Sequence, residues 1–368
     1  MTSRGLYFHI PFCRKKCFYC SFVVAINQQH YEDEYARALL MELLQSHERS
    51  FHSVYFGGGT PSRLGERIMR HVVEGIRASV SLDSGAEITV EMNPEDVSRA
   101  RLECYRDLGI NRISLGVQSF QDEWLRRSGR CHDAQQASRA YEMIRSYGFD
   151  NVNVDLMYGF PGQTRAQIDY DLQELGRWGS EHVSLYSLTV DPGSRFFVEG
   201  VALPSSDDRA AQYLHVRQAL TDLGYRQYEV SNFCREGRES RHNLNYWQGG
   251  NYTGLGVAAH SHEDGRRWWN VTRMRDYLAA IREGTAVREG SEILSVSQRL
   301  SEALAFGLRM TDGVDLNALE QRLTRLSDEQ TSCIRQLVRD GFLLRDGRYL
   351  KASVNGLLVL DEIAARLM

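Results

Sequence analysis

The 368-residue chain has no run of about 18 or more apolar residues, so none of its helices is expected to cross a membrane. Peripheral association is the most membrane contact to expect. Basic residues are not in excess: 44 Lys and Arg stand against 48 Asp and Glu, a formal net charge of -4. This argues against non-specific nucleic-acid binding, because no surplus cations are present to displace counterions. Met1-Thr2-Ser3-Arg4-Gly5 lacks the pattern of a signal peptide. A disulfide framework is also missing. Of seven cysteines only three cluster, while Cys104, Cys131, Cys234 and Cys333 stand singly and read as small buried hydrophobes. A cytoplasmic location fits best. No dinucleotide fingerprint follows the first strand-like run, and no Gly-Lys-Ser/Thr phosphate loop occurs.

The first two hundred residues alternate strand-like runs (Leu6–Ile10, Ser53–Phe56, Glu87–Glu91, Arg112–Val117, Asn151–Met157, His182–Val190) with amphipathic stretches. This alternation predicts βαβ units and a parallel sheet, and without a dinucleotide motif a complete or partial barrel. Only six prolines occur, and five follow expected strands: Pro11, Pro61, Pro94, Pro161 and Pro192. Proline cannot donate to a ladder, so each marks where pairing stops. The conspicuous motifs fall at the same strand ends, which form the catalytic face of a parallel barrel.

Three domains are expected: a barrel core over 1–203, an extension over 204–290, and a C-terminal α+β module over 291–368. The extension carries a helix (Arg209–Leu223), a strand (Gln227–Asn232) and the stretch His242-Asn243-Leu244-Asn245-Tyr246-Trp247. Gly254-Leu255-Gly256-Val257-Ala258-Ala259 mimics a dinucleotide motif, but is discounted because no strand before it and no helix after it are expected. The last module reads as three helices and a hairpin around Asp346-Gly347, resembling a winged helix. It has no basic stripe, so a packing or lid role is expected.

The chemistry starts at Cys13, Cys17 and Cys20, spaced C-x3-C-x2-C. Three soft thiolates from one loop suit an iron–sulfur cluster, which normally takes four ligands, so one iron would be open to a small molecule. The rival is a structural zinc site that adds His9. Gly57-Gly58-Gly59-Thr60 lets a ligand approach backbone carbonyls and amides closely. Glu91, Gln118, Arg130 and Asp155 stand at or near strand ends. Together they could bind a ribose diol and an α-carboxylate.

Tyr7–Cys13, the cysteine loop, Gly57–Pro61, Glu91–Pro94, Gly116–Phe120 and Asp155–Thr164 together resemble the HemN-like branch of the radical S-adenosylmethionine (SAM) superfamily. That resemblance implies a partial (β/α)6 TIM-like barrel and a [4Fe–4S] cluster whose open iron takes SAM. Reduction then cleaves SAM to methionine and a 5′-deoxyadenosyl radical. By the same resemblance, Cys13, Cys17 and Cys20 ligate the cluster, and Tyr7 sits against SAM. Gly58 and Thr60 receive its methionine part, Glu91, Gln118, Arg130 and Asp155 surround its other polar groups, and Phe22 packs nearby through its backbone.

Within the branch, the early first strand and Phe22 depart from the oxygen-independent coproporphyrinogen oxidases, which have a longer N-terminal extension and a cysteine at that place. His242–Trp247, Tyr252–Gly256 and Ala259-His260-Ser261 instead resemble the haem-chaperone (HemW-type) group. This implies haem as cargo, with His242 a candidate ligand ahead of His260 and His262. The implied partners are an electron donor such as a flavodoxin or ferredoxin, haem-accepting respiratory proteins and a second copy in a homodimer. The alternative is a radical SAM enzyme acting on a tetrapyrrole or other substrate: a methyltransferase, a haem-opening enzyme or a coproporphyrinogen III dehydrogenase. No catalytic residue is assigned for it.

Overall fold

Six parallel strands with alternating side chains form the first half of the computed structural model, which describes residues 4–46 and 50–368. Met1–Ser3, read above for a leader, lie outside the described residues. The strands are β1 (Arg4–Ile10), β2 (Ser50–Gly58), β3 (Ser81–Met92), β4 (Arg112–Gln118), β5 (Val152–Tyr158) and β6 (His182–Ser187), paired in that order. Helices α1 (Glu32–Gln45), α2 (Glu66–Ser79), α3 (Arg99–Asp107), α4 (Asp122–Ser128), α5 (Ala134–Ser146) and α6 (Arg165–Trp178) lie between them. The expected α/β fold, a partial (β/α)6 barrel, is what the chain adopts.

Period-two alternation sorts the strand residues into two environments. Leu6, Phe8, Val54, Phe56, Ile113 and Leu115 point outward and are fully buried in the main apolar core. Burying each such side chain is worth about 1.5–3 kcal/mol. The residues between them, including Tyr7, Tyr55, Glu91, Ser114 and Asp155, face inward. The lumen is therefore polar, unlike the branched-aliphatic filling usual in closed barrels.

After α7 (Arg195–Val198), the barrel edges are extended rather than closed. Past α8 (Ser206–Asp222), β7 (Arg226–Gln227) pairs antiparallel with β8 (Asn232–Cys234), which itself adds antiparallel to β6. The single strand expected over Gln227–Asn232 is thus a hairpin, with Tyr228–Ser231 as its turn. On the other edge, past α9 (Arg241–Trp247), β9 (Asn251–Leu255) pairs in parallel with β1. Next come β10 (His260–Glu263) and β11 (Arg266–Asn270), then α10 (Met274–Glu283) and β12 (Arg288–Ile293), the three strands running antiparallel, in a sheet of twelve strands.

One stretch gains a structure here and one expectation changes. His242–Trp247 is helical, with Ser240 capping it through the Asn243 amide. A strand does precede Gly256, but Ala258 takes φ +55 and the chain turns back into β10. A strand and not a helix follows, so the segment lacks the strand–turn–helix arrangement of a dinucleotide motif.

The C-terminal segment has its own core, including Leu300, Leu304, Ile334, Leu337 and Leu350. Helices α11 (Val296–Gly307) and α13 (Asp328–Arg339) start at capping boxes, Ser295 with Gln298 and Ser327 with Gln330. Between them lie β13 (Val314–Asp315) and α12 (Leu316–Arg322). The hairpin β14 (Leu343–Asp346) and β15 (Tyr349–Ala352) turns at Gly347, φ +56, and β13 pairs with β15. The order helix, strand, two helices and hairpin is that of a winged helix. No described helix is long and apolar enough to cross a membrane.

Candidate functional site

The cysteine loop leaves β1 at Pro11 and is pinned by a short parallel pair, Phe12–Cys13 with Ala25–Ile26. Cys13 is buried, and Cys17 and Cys20 are half-buried. Hydrogen bonds join this loop to the ends of three other strands. Cys13 Sγ lies 3.3 Å from Thr60 Oγ1, which also accepts from Asn93 Nδ2 at 3.2 Å. Asn93 Oδ1 accepts from Arg130 Nη2 at 2.7 Å, and Arg130 Nη1 donates to Cys17 Sγ at 3.5 Å. The loops after β1, β2, β3 and β4 thus close a polar circuit around the cysteines.

Burial pushes the Cys13 thiol up to about 11, so it becomes a thiolate only when a cation offsets the charge. Among the described residues, no three His, Cys, Asp or Glu side chains stand at the spacing of one metal ion. A four-iron cube holds its thiolates farther apart than a single ion does. His9 does not complete a Cys3His set: Nδ1 lies 3.2 Å from the Tyr7 hydroxyl and Nε2 3.1 Å from the Val23 carbonyl.

The remaining expected residues lie at the same mouth, on the inward face. Tyr7 stacks on Tyr55, whose hydroxyl donates to Glu91 Oε1 at 2.8 Å. Burial, and then the charge of Asp155, push Glu91 up to about 7. Asp155 is raised by burial, against hydrogen bonds from Asn153 Nδ2 at 2.7 Å and Ser114 Oγ at 3.1 Å. Gln118 ends β4 at φ +71, beside a register shift in the ladder. Left-handed backbone at a non-glycine is a strain that occurs at binding sites. Gly116 makes room for this group: a Cβ there would meet Asn93 Oδ1, Arg130 Nη2 and Gln118 Nε2 at 3.1–3.3 Å.

Gly57, Gly58 and Gly59 serve close packing on their Cα side. Added Cβ atoms would lie 2.8 Å from the Tyr55 ring, 2.6 Å from the His9 ring and 2.5 Å from the Pro11 carbonyl. Gly58 also needs φ +109. The Phe22 ring is 65 % exposed, but its backbone amide serves the Cys20 sulfur. Arg130 Nε is buried without a partner beside Cys17. An unfilled donor at the cysteines, a cradle a Cβ would crowd, and a thiolate-forming donor set fit an anionic cluster and a polar ligand upon it.

His242 lies deeper in the barrel, stacked on Tyr55. It is 1 % exposed, near the amino-terminal ends of the strands, with Nδ1 2.9 Å from Ser53 Oγ and Nε2 2.9 Å from the Tyr246 hydroxyl. Burial lowers its pKa to about 3. Its two ring nitrogens are thus both engaged, at the barrel floor. His260 is exposed, stacked on Trp269, with neither ring nitrogen bonded to a described residue. His262 bonds the Gly250 carbonyl and the Gly265 amide. Tyr55, Asn93 and Arg112 were missed as site residues. Tyr55 and Arg112 carry the period-two signal of inward positions, and Asn93 sits in the noted Glu91–Pro94 motif.

The radical SAM superfamily profile matches residues 7–175, and the HemN C-terminal domain profile matches 294–359. The chain is 32 % identical over 371 residues to heme chaperone HemW of Bacillus subtilis (strain 168), covering 98 % of both chains. It is 39 % identical to HemW of Escherichia coli (strain K12) over 261 residues, 70 % of this chain and 69 % of that one. It is 35 % identical to the mitochondrial radical S-adenosyl methionine domain-containing protein 1 of Bos taurus, covering 99 % of this chain and 87 % of that protein. Among solved structures, coproporphyrinogen III oxidase (HemN) from Escherichia coli, a radical SAM enzyme, superposes over the whole chain and 90 % of its own, with TM-score 0.86 and 24 % identity, which speaks for the fold. The chain belongs to the radical SAM superfamily, in the HemW family of its HemN-like branch.

Proposed function

We propose that this protein is a haem chaperone that carries a SAM-binding [4Fe–4S] cluster and delivers haem to haem-dependent respiratory proteins in the cytoplasm. One observation carries the cluster half of this reading: the hydrogen-bonded circuit Cys13–Thr60–Asn93–Arg130–Cys17. It holds two of the three thiols, Cys13 and Cys17, against the carboxyl ends of the barrel strands, where parallel barrels carry their chemistry, and the Cys20 amide bonds the Cys17 carbonyl. The haem half rests on the similarity to the heme chaperones HemW.

In this reading Cys13, Cys17 and Cys20 hold three irons. Gly58 and Thr60 face the methionine part of SAM, and Tyr7, Phe22 (through its backbone), Glu91, Gln118, Arg130 and Asp155 surround the rest. Bound at the fourth iron, SAM would supply one-electron reductive cleavage chemistry, with electrons from a flavodoxin- or ferredoxin-like donor. The chain's own contribution is orientation and exclusion of water. Arg130 donates toward the cluster sulfur, while Glu91 and Asp155, when ionised, accept from hydroxyl or ammonium groups. Residues 1–203 form the barrel, 204–290 its extension and 291–368 the third domain, with homodimerisation and peripheral membrane association part of the same reading.

For the haem iron we place the ligand at His260 rather than His242. The His242 ring would have to give up Ser53 or Tyr246, whereas His260 is exposed with both nitrogens free of described partners. Titrating anaerobically reconstituted protein with haem should give a Soret change; its absence overturns the chaperone reading.

A second reading is favoured by the complete carboxylate, amide and guanidinium set at the mouth, which a simple carrier does not need. It is a radical SAM enzyme acting on a tetrapyrrole. Product analysis with reductant, SAM and candidate tetrapyrroles tests it, and tetrapyrroles left unchanged would count against it.

A further inference from the structure

The barrel lumen holds a buried cation that no described residue pairs. Arg112 opens β4, is 1 % exposed, and sits in register with Thr89 of β3, which is fully buried. By period-two alternation its side chain shares the inward face with Ser114, which bonds Asp155, and with Gly116, packed beside Arg130. Among the described residues no hydrogen bond or ion pair reaches its guanidinium. Its Nε is buried without a partner, as is Thr89 Oγ1 opposite.

A bare guanidinium in a protein interior is strongly unfavourable, so the lumen has to supply acceptors that are not protein atoms in direct contact. Water fits, because the surrounding groups are polar. Glu91 and Asp155, on the neighbouring strands β3 and β5, are the carboxylates whose ionisation Arg112 favours. Arg130, the other buried cation at the mouth, is committed to Cys17, Asn93 and the Gly116 carbonyl, and the remaining titratable lumen groups among the described residues add no positive charge. Tyr55, Tyr186 and Tyr228 are held neutral, burial holds His182 and His242 unprotonated, and Glu229 adds a further carboxyl. Glu87 is occupied by the amides of Arg241 and His242.

We propose that Arg112 is a positioning residue of the SAM site: through ordered water in the lumen it supplies the counter-charge that keeps Glu91 and Asp155 ionised as acceptors for the bound nucleoside. The proposal rests on the SAM-site reading above. It treats Arg112 as acting through these two carboxylates, not by touching SAM.

The test is the pH dependence of SAM binding to cluster-reconstituted protein, for wild type, Arg112→Met and Arg112→Lys. Removing the cation raises the carboxylate pKa values, so the acid-side loss of affinity in Arg112→Met should move up by about one pH unit. Arg112→Lys should stay near wild type. A folded Arg112→Met whose midpoint coincides with wild type overturns the proposal. Melting curves of the cluster-free protein against pH read the same carboxylates without SAM. The pH window of stability loss should shift upward in Arg112→Met, and an unshifted window overturns the proposal. Wild type that binds no SAM at any pH would sink the functional reading instead, and the melts would still decide this one. If Arg112→Met does not fold, a high-resolution crystal structure of the wild type decides: water bridging Arg112 to Glu91 or Asp155 supports the proposal, and a direct protein ion pair or a dry lumen overturns it.

Discussion

Arg130 reaches across the barrel mouth to Cys17, with Nη1 3.5 Å from the sulfur. Its other terminal nitrogen donates to Asn93 Oδ1 and the Gly116 carbonyl at 2.7 and 2.6 Å. One planar fork thus joins the cysteine loop to the ends of β3 and β4. Hydrogen bonds to charged groups are worth about 1.5–3 kcal/mol, so Arg130→Met should weaken SAM binding by about 10- to 100-fold in calorimetry on reconstituted protein. Arg130→Lys should recover only part of this, because an ammonium does not present that fork.

Gly116→Ala tests the crowding of the same group. The new methyl would sit 3.1–3.3 Å from Asn93, Arg130 and Gln118. The melting temperature should change little, while SAM affinity falls by about tenfold as Arg130 and Gln118 are displaced. An unchanged affinity would show that these side chains do not contact the ligand.

The two histidines should separate by readout. His242→Leu removes the partner of Ser53 and Tyr246 inside the barrel and should cost about 1–3 kcal/mol in denaturant unfolding. Its folded pKa of about 3 lies below the ordinary 6.5, so wild-type stability is lost as pH falls from 6.5 toward 3, a slope His242→Leu should reduce. Its haem Soret spectrum should stay like wild type. His260→Ala should leave stability nearly unchanged and alter the Soret band.

Glu42 gives a pH prediction of opposite sign. Buried at the junction of α1, α10 and the turn after β9, it accepts from Gly256 N, Tyr277 Oη and Asn270 Nδ2 at 2.6–2.8 Å. Burial pushes it up to about 7 from an ordinary 4.5. Its contribution is therefore complete below pH 4.5 and lost as pH rises through 7, by up to about 3 kcal/mol. Thermal melts of Glu42→Gln across this range should be flatter than wild type.

The six barrel strands were legible because outward apolar residues alternate with inward polar ones and strand-end prolines mark where five of the six runs stop. The cysteine loop, Thr60, Glu91 and Gln118 were legible as candidates because their motifs fall at those same ends, whereas Asp155 stands mid-strand in β5 and Arg130 just past α4. The far edge was not. Strand β12 has no buried residue and β10 only one, so neither carries an alternating apolar signal. Gln227–Asn232 read as one strand because nothing local marks its turn. His242 was misplaced because a histidine in a polar aromatic stretch has the same composition whether it faces a ligand or Ser53. Arg112 was hidden inside an expected strand, where register and not spacing reveals that it lacks a partner.

The most direct test is iron and acid-labile sulfide analysis of anaerobically reconstituted wild type and of the three single Cys→Ala variants, with spectra before and after SAM. The account predicts about four irons and four sulfides per chain, loss of the cluster with Cys13, Cys17 or Cys20 removed, and a SAM-dependent change in the reduced cluster's spectrum. Zinc without iron, or a cluster that survives loss of one of these cysteines, would contradict it.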